Sequence, residues 1–345
     1  MNEKQKEKNE EKIISTNTIY EMQSQKQNEL EVQQDETLLS KTIKVTGLYD
    51  PEENDLTIDM WSNSNGEQIL NLFNKIKKIK LSNDAKEILN ILLLTNSYFP
   101  QQNITDEQQI TFSRRLGELE TPGSKSNITK PGERRLALPD IGDVSNLDKD
   151  GNLFGKNARR RLYNLANQLW HSDSSFRKIP AKFSLLSART IASRGGNTEF
   201  ADMQSAYEML DSKMKELIKD LICEHSNLNS RATMGFSEFS EEERSNFKPV
   251  NQPLVRRHPF NDRKSLFLSA HAGSIVGWDV PEGRSLLLEL NEHATQQKFV
   301  YAHKWKLHDL VIWDNRQTMH RVRRFNDTEE SRDMRRTTVA GDIPA

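Results

Sequence analysis

The chain has a single cysteine, Cys223, among its 345 residues, so it cannot form an internal disulfide. This scarcity is compatible with a reducing compartment. The surrounding pattern predicts a helix for Cys223, and no activating pattern flanks its thiol to mark it as a nucleophile. We therefore expect Cys223 to be a structural residue.

Long apolar runs and a strong net charge are also missing. No run reaches the roughly 18 apolar residues of a transmembrane helix, and the N-terminus lacks the apolar core of a secretory signal. The 49 Lys and Arg residues nearly balance 50 Asp and Glu residues, for a net charge of −1. Neither nucleic acid nor a membrane surface is expected as a partner. The expectation is a cytoplasmic protein, and a homo-oligomer is compatible with the sequence.

Composition divides the chain near residue 41. Residues 1–41 are rich in Glu, Lys, Gln and Asn and contain few large apolar residues. Such a segment buries too little surface to offset the entropy lost on ordering, which predicts a disordered polar tail. A partner-binding role for the tail stays open. A first strand is predicted from Thr42, and residues 42–345 are predicted to form one domain.

Three helices have recognisable start signals. Thr105, with Gln three residues later, has the spacing of a capping box, and Gly117 is predicted to close that helix. Asp202 is a predicted cap for a helix whose apolar residues recur at three- and four-residue steps over 207–221. Another helix is predicted to begin near Pro281.

The remaining apolar segments are short and typical of strands. Because short strands outnumber helices and no repeat is present, the pattern predicts a mainly β fold with flanking helices, a sandwich or barrel rather than a doubly wound parallel sheet. The candidate strands are Phe183–Ile191, Leu266–Ser269, Phe299–Tyr301, Leu310–Trp313 and Thr337–Ala340.

A candidate metal site begins at His171-Ser172-Asp173. In extended backbone, residues i and i+2 point to the same side, so an imidazole and a carboxylate can converge there. His320, 149 residues further along the chain, would supply a second imidazole. Two histidines and one carboxylate suit a non-haem Fe(II) with open positions for O2 and a co-substrate. Another divalent metal, or a hydrogen-bonded core group, stays open on these residues alone.

Two arginines follow His320. Arg332 and Arg336 each offer a planar guanidinium that holds a carboxylate through two parallel hydrogen bonds. Two such groups close to a metal suit two carboxylate-bearing reactants. Arg335 is next to Arg336, and the sequence does not decide which of the two faces a substrate.

Several motifs together resemble the Fe(II)/2-oxoglutarate dioxygenases of the taurine dioxygenase superfamily, most closely its 2,4-dichlorophenoxyacetate dioxygenase-like branch. The resemblance is dense over the second half of the chain and loose over 42–150. It implies a double-stranded β-helix, the jelly-roll architecture of cupins. The matching stretches are residues 167–176 (NQLWHSDSSF), 195–200 (GGNTEF), 293–296 (HATQ), 310–316 (LVIWDNR) and 335–338 (RRTT).

The resemblance also implies roles for particular residues. His171, Asp173 and His320 would bind Fe(II). Three residues would serve the distal carboxylate of 2-oxoglutarate, namely Thr198, Arg332 and Trp313, the last as pocket lining. Four residues would lie on the substrate side, namely Arg336 at the anionic group, Asn167, His271 and, as a weaker candidate, Lys125.

The implied reaction consumes O2 and 2-oxoglutarate, hydroxylates a small anionic substrate and releases succinate and CO2. An aryloxyacetate or another carboxylate is the leading substrate class, and a taurine-like sulfonate is the alternative. Two further alternatives stay open on the same fold: a metal-dependent hydrolase, which would need no co-substrate clamp, and a non-catalytic binding protein, which would keep the pocket without turnover. Two positions depart from the family: Asn197 replaces a usual acidic residue, and His308 replaces a usual glycine, which predicts a rearranged turn before Asp309.

Overall fold

The computed structural model describes residues 42–50, 55–61, 96–120, 128–129, 132–259 and 261–341. The predicted polar tail and Lys125 lie outside these residues. A strand begins at Thr42, as the sequence predicts. In the described part of the chain, no helix has the length and apolar character needed to cross a membrane.

The strands of the described residues form four sheets in which nearly every pairing is antiparallel. The largest has seven strands in the order β2-β1-β3-β13-β5-β15-β4, and the pair β1–β3 is its parallel pairing. The strands are β1 Thr42–Asp50, β2 Asp55–Trp61, β3 Asn96–Phe99, β4 Gly142–Ser145, β5 Ala181–Thr190, β6 Thr198–Asp202, β7 Ile222–His225, β8 Val250–Pro253, β9 Val255–Arg257, β10 Lys264–Leu266, β11 Ala272–Ile275, β12 Val300–His303, β13 Leu310–Asp314, β14 Thr318–Val322 and β15 Asp333–Ala340.

The helices are short, apart from one. They are α1 Asp106–Arg114, α2 Arg159–Asn164, α3 Met203–Glu208, α4 Ser212–Ile218, α5 Asn227–Thr233, α6 Glu241–Asn246 and α7 Val280–Ala294. The predicted capping box at Thr105 is present at the start of α1, which ends at Arg114. Pro281 lies in the first turn of α7, where its missing N–H costs no hydrogen bond.

One predicted helix is wrong. Instead of one helix after Asp202, the structure has α3 and α4, because Asp211 accepts a hydrogen bond from the Met214 backbone N–H and starts a second helix. The chain then turns extended, so Cys223 lies buried in β7 rather than in a helix. The helical spacing of apolar residues continues across Asp211, so this spacing alone does not reveal that a second helix is capped there.

Three strands position the candidate site. The central strand β5 pairs with β13 on one side and with β15 on the other, so Ser184 lies opposite both Trp313 and Thr338. The small sheet β12-β6-β14 sets Phe200 opposite His320. The predominance of antiparallel strands agrees with the mainly β fold that the sequence predicts.

Candidate metal centre and anion-binding cavity

His171 and His320 face each other across a β-bridge. The His171 N–H donates to the His320 carbonyl at 3.0 Å, and the His320 N–H donates to the His171 carbonyl at 2.8 Å. The two imidazole centroids are 4.2 Å apart. Two residues separated by 149 positions are therefore held in register by a reciprocal pair of backbone hydrogen bonds.

Asp173 completes the group at the start of a turn. Ser174 has φ +56°, which is left-handed backbone that turns the chain immediately after the carboxylate. The Asp173 N–H donates to Asn315 Oδ1 at 3.1 Å. One Asp173 oxygen, Oδ2, lies 3.9 Å from His320 Nε2. One ligand atom from each of the three residues lies within 4.8 Å of the others, and all three side chains are buried. We call this group the metal corner.

The donor set of the metal corner fits a divalent metal ion. His171 Nδ1 donates to the Leu169 carbonyl at 2.8 Å, which leaves Nε2 with a lone pair free to coordinate. His320 Nδ1 is buried and has no hydrogen-bond partner among the described residues. The two histidines thus differ: a backbone carbonyl orients one ring, and packing alone orients the other.

The protonation states of the two histidines and Asp173 also fit metal binding. Burial, followed by the repulsion that a protonated His171 would exert, lowers the pKa of His320 well below its usual value, and burial lowers the pKa of His171. Burial would raise the pKa of Asp173, but Arg336 and the two histidines hold it well below its ordinary range. Two neutral imidazoles and an ionised carboxylate are the forms that bind a metal.

A second layer of side chains, which sequence reasoning missed, supports Asp173. Ser184 Oγ donates to Asp173 Oδ2 at 2.7 Å, and Asn315 Nδ2 donates to Ser184 Oγ at 2.9 Å. Trp313 Nε1 donates to Asn315 Oδ1 at 2.9 Å, and the Trp313 ring lies 4.6 Å from that of His320. Trp313, predicted to line the co-substrate pocket, is buried at this position between Asn315 and His320. Ser184 carries no sequence signal, since it is one of two serines in β5 and no local pattern distinguishes it from Ser187.

His171 and Asp173 of the metal corner line a cavity of about 210 Å³. The lining also includes Arg231, for which the sequence indicates no role. Six of the predicted site residues line this cavity, namely Asn167, His171, Asp173, His271, Arg332 and Arg336. The structure thus brings most of the predicted residues to one cavity.

Arg332 presents a buried positive charge to this cavity. Its backbone is fixed by Asn146, whose Oδ1 accepts from the Arg332 N–H at 2.8 Å. Burial lowers the pKa of the guanidinium to about 10, and no carboxylate lies within 4.0 Å of it among the described residues. Gly196 has φ +70°, and a Cβ atom there would lie 3.3 Å from Arg332 Cδ and Nε. The absence of a side chain at Gly196, in the predicted Gly-Gly turn, therefore leaves space for the Arg332 side chain.

Thr198 is buried at the first position of β6, opposite Val322 of β14 and His303 of β12. Its Oγ1 accepts a hydrogen bond from Trp305 Nε1 at 2.9 Å, which leaves its own O–H to donate. The Trp305 ring packs edge-on against His303 at 4.6 Å. Thr198 is not in the cavity lining among the described residues, and its predicted contact with the co-substrate stays a prediction.

Neighbouring side chains on β15 point to opposite sides, which distinguishes Arg335 from Arg336. Arg336 lines the cavity and Nη1 donates to Asp173 Oδ1 at 2.6 Å. Arg335 pairs with Asp333 and, at 3.3 Å, with Asp106 on the other face. Arg336 is thus the one of the pair on the cavity side.

Asn167 and His271 lie beside the metal corner. Asn167 Oδ1 accepts from Arg231 Nη2 at 3.4 Å. The His271 ring is 6.1 Å from the His171 ring and 4.8 Å from that of Phe176, and its Nδ1 has no partner among the described residues. Burial lowers the pKa of His271 well below its usual value, so the imidazole is neutral.

The departure at His308 is visible in the backbone. His308 has φ +67°, a conformation that glycine adopts without cost and most other residues avoid. Its N–H donates to the Ala188 carbonyl at 3.0 Å, so the position is tied to β5. The turn keeps the left-handed backbone of a glycine position.

Comparison with known proteins gives concordant matches. A family model described as "Taurine catabolism dioxygenase TauD, TfdA family" matches residues 78–338. An alpha-ketoglutarate-dependent 2,4-dichlorophenoxyacetate dioxygenase from Cupriavidus pinatubonensis is 42% identical over 268 residues, covering 78% of this chain and 89% of the relative. One of the same description from a Burkholderia species is 46% identical over 243 residues, covering 70% and 80%. A crystal structure of AAD-2 with Mn(II) and N-oxalylglycine is 58% identical, with a TM-score of 0.71, covering 73% of this chain and 86% of that chain.

Proposed function

Because the chain belongs to the TauD, TfdA family and is an Fe(II)- and 2-oxoglutarate-dependent dioxygenase, we propose that it hydroxylates a small aryloxyalkanoate or a related carboxylate. One observation carries the proposal: a buried pair of histidines converges with a carboxylate, and His171 and Asp173 of this group line the same cavity as buried guanidinium groups. A metal and two organic anions are what this arrangement accepts.

In this proposal His171, Asp173 and His320 hold Fe(II), which supplies activation of O2 once it is bound. His171 Nε2 is directed by the hydrogen bond on Nδ1, and Asp173 is oriented by Ser184. These hydrogen bonds keep the ligand atoms in place before any ion arrives.

Arg332 holds the distal carboxylate of 2-oxoglutarate. Its buried guanidinium has no internal anion within 4.0 Å among the described residues, so a bound carboxylate would restore the charge balance. Thr198 donates its hydroxyl to the same carboxylate, with Trp305 fixing the direction of that donor. Trp313 supports this side by packing on His320.

Arg336, Asn167 and His271 lie on the prime-substrate side. For an aryloxyacetate, hydroxylation at the carbon beside the ether oxygen gives a hemiacetal that breaks down to a phenol and glyoxylate. One oxygen atom of O2 enters the substrate as the hydroxyl group, and the other enters succinate as 2-oxoglutarate loses CO2. The names of the relatives that cover most of the chain, 2,4-dichlorophenoxyacetate dioxygenases, support this class.

We further infer the finer architecture from family membership. The antiparallel sheets are proposed to form a double-stranded β-helix with the metal corner at one end, within a single dioxygenase domain spanning 42–345. A taurine-like sulfonate is the second candidate substrate, and relatives of that description are more distant: a taurine dioxygenase structure from Burkholderia xenovorans is 27% identical, with a TM-score of 0.59.

The test is a succinate-release screen with Fe(II), 2-oxoglutarate and O2 against 2,4-dichlorophenoxyacetate, other carboxylates and taurine. We expect succinate in proportion to phenol and glyoxylate with the aryloxyacetate. Succinate formation that rises with taurine and not with any carboxylate would contradict the proposed substrate class. Product formation without 2-oxoglutarate would contradict the role of Arg332.

A further inference from the structure

The arginines that line the cavity differ in whether an internal carboxylate compensates them. Five of the seven have a carboxylate oxygen within 4.0 Å. These pairs are Arg160–Asp143, Arg161–Asp327, Arg177–Glu120, Arg323–Glu199 and Arg336–Asp173. Arg231 and Arg332 have none within that distance among the described residues. The cavity therefore holds two buried cations without internal counter-ions.

The hydrogen-bond and ring contacts of Arg231 are made with neutral groups. Nη1 donates to Ser230 Oγ at 2.9 Å and Nη2 to Asn167 Oδ1 at 3.4 Å. The guanidinium carbon lies 4.3 Å from the centre of the Tyr163 ring. Nε is buried and has no hydrogen-bond partner among the described residues. Arginine stays charged in proteins, so an ionised group is buried here without an anion.

The helix that carries Arg231 does not resolve this imbalance. Arg231 is in the last turn of α5, where the carbonyl ends of the helix favour a cation. Such an interaction is weak compared with the cost of burying an unpaired charge, which stays large even after relaxation. A ligand carboxylate is the partner that would close the difference.

The position of Arg231 selects which ligand that is. Arg231 Nη2 donates to Asn167 Oδ1 at 3.4 Å, and both residues line the cavity together with His171 and His271. Arg332 lies instead against Gly196. Arg336, the proposed substrate clamp, already donates to Asp173 at 2.6 Å. The uncompensated charge on the Asn167 and His271 side is that of Arg231.

Resting on the proposed function, we infer that Arg231 is a specificity-determining residue that binds the carboxylate of the prime substrate, with Asn167 beside it. Arg332 serves the co-substrate, Arg231 serves the prime substrate, and Arg336 links the substrate to Asp173. A neutral analogue of the substrate would leave Arg231 uncompensated and would bind more weakly for that reason.

The test compares a carboxylate with its neutral isostere. Dissociation constants for 2,4-dichlorophenoxyacetate and 2,4-dichlorophenoxyacetamide are measured by calorimetry with Fe(II) and 2-oxoglutarate bound, without O2. In Arg231→Gln we expect carboxylate binding to weaken about 10- to 100-fold, as for a lost charged hydrogen bond, while amide binding barely changes. The carboxylate preference of the wild type should therefore collapse. Binding of 2-oxoglutarate alone should not change.

Arg257→Gln is the matched control. It removes the same charge from an exposed arginine paired with Asp262, and it should keep the wild-type preference. Arg231→Lys keeps the charge but loses the planar fork, so it should reduce the preference only partly. That variant, with its melting temperature measured, carries the test if the glutamine variant does not fold.

Three outcomes would overturn the inference. An unchanged carboxylate preference in Arg231→Gln, with loss of preference in Arg336→Gln, would assign the carboxylate to Arg336 alone. Equal weakening of both compounds would indicate a structural role for Arg231. Wild-type protein that binds neither compound would overturn the proposed substrate class and the inference together, whereas the first two outcomes leave the proposed function intact.

Discussion

Asp173 and Arg332 both bury a charge in one cavity, and they differ in how that charge is compensated. Asp173 has Arg336 at 2.6 Å, Ser184 at 2.7 Å and a neighbouring imidazole. Arg332 has hydrogen bonds to its backbone but no carboxylate partner among the described residues. The metal corner is therefore held in place by side chains of the protein itself. Arg231 and Arg332 instead have charges that an anionic ligand would compensate.

The largest effect on the difference between Asp173 and Arg332 is expected from removing a metal ligand, which should abolish tight Fe(II) binding at the metal corner. His320→Ala should lower Fe(II) affinity by more than about 100-fold, because loss of mere supporting partners already costs about 10–100-fold. Anaerobic titration with Fe(II) measures this directly. His293→Ala is the control, since that histidine lies in α7 and bonds to the Ala206 carbonyl. Fe(II) affinity in His320→Ala close to that of the control would contradict the proposed ligand set.

Removing the charge on the arginine side should separate the co-substrate from the metal. Arg332→Gln should raise the KM for 2-oxoglutarate about 10- to 100-fold through the lost charged hydrogen bonds, with Fe(II) affinity unchanged. Arg324→Gln, an exposed arginine eight residues earlier, should change neither quantity. Steady-state succinate release gives the KM. A larger effect on the substrate KM than on the 2-oxoglutarate KM would reverse the assignment, and Arg336→Gln is expected to show that opposite preference.

A smaller change tests the support of the metal corner. Ser184→Ala removes the donor to Asp173 Oδ2 and the acceptor of Asn315 Nδ2. Fe(II) affinity should fall about 10-fold or somewhat more. Ser187→Ala is matched, because Ser187 is equally buried in β5 and donates to Gln109 instead. Equal Fe(II) affinities in the two variants would show that Ser184 does not orient the carboxylate.

The smallest effect is expected at the Gly-Gly turn. Gly196→Ala places a methyl group 3.3 Å from the Arg332 side chain, so the KM for 2-oxoglutarate should rise a few-fold. Gly235→Ala shares the left-handed backbone, at φ +77°, but its added Cβ would meet no atom within 4 Å. Both variants should lose about 1 kcal/mol of stability from the backbone strain. If both also raise this KM, strain rather than contact with Arg332 is responsible.

The sequence predicted those parts of the site that sit in distinctive motifs. His171-Ser172-Asp173, the Gly-Gly turn and the strand ending at Trp313 have composition that signals their position. The bridge between His171 and His320 depends on long-range pairing of strands, which no local pattern encodes. The capped start of α1 was predictable because both capping residues lie within four positions.

The residue that supports Asp173 and the missing counter-ion of Arg231 could not be predicted from the sequence, for a different reason. Ser184 matters because the opposing strands β13 and β15 bring Asn315 and the metal corner to it, and nothing near it in the chain shows this. Arg231 and Arg332 differ from the other five arginines of the cavity because no carboxylate lies within 4.0 Å of them among the described residues. That lack is visible only after the partners of all the cavity arginines are known. The break between α3 and α4 was missed because apolar spacing continues across the cap at Asp211.

The reciprocal bridge between His171 and His320 also sets when the protein can acquire iron. A chain that has been synthesised only as far as β13 carries two of the three ligands, and they have no strand to hold them in register. The third ligand and the backbone bonds that align it arrive together with β14. Iron loading is therefore a late event that follows the closing of a 149-residue loop, and the bound ion stabilises the native state by an amount that grows with the logarithm of its free concentration. Cells short of iron would hold a folded apoprotein that unfolds at a lower temperature than the loaded enzyme.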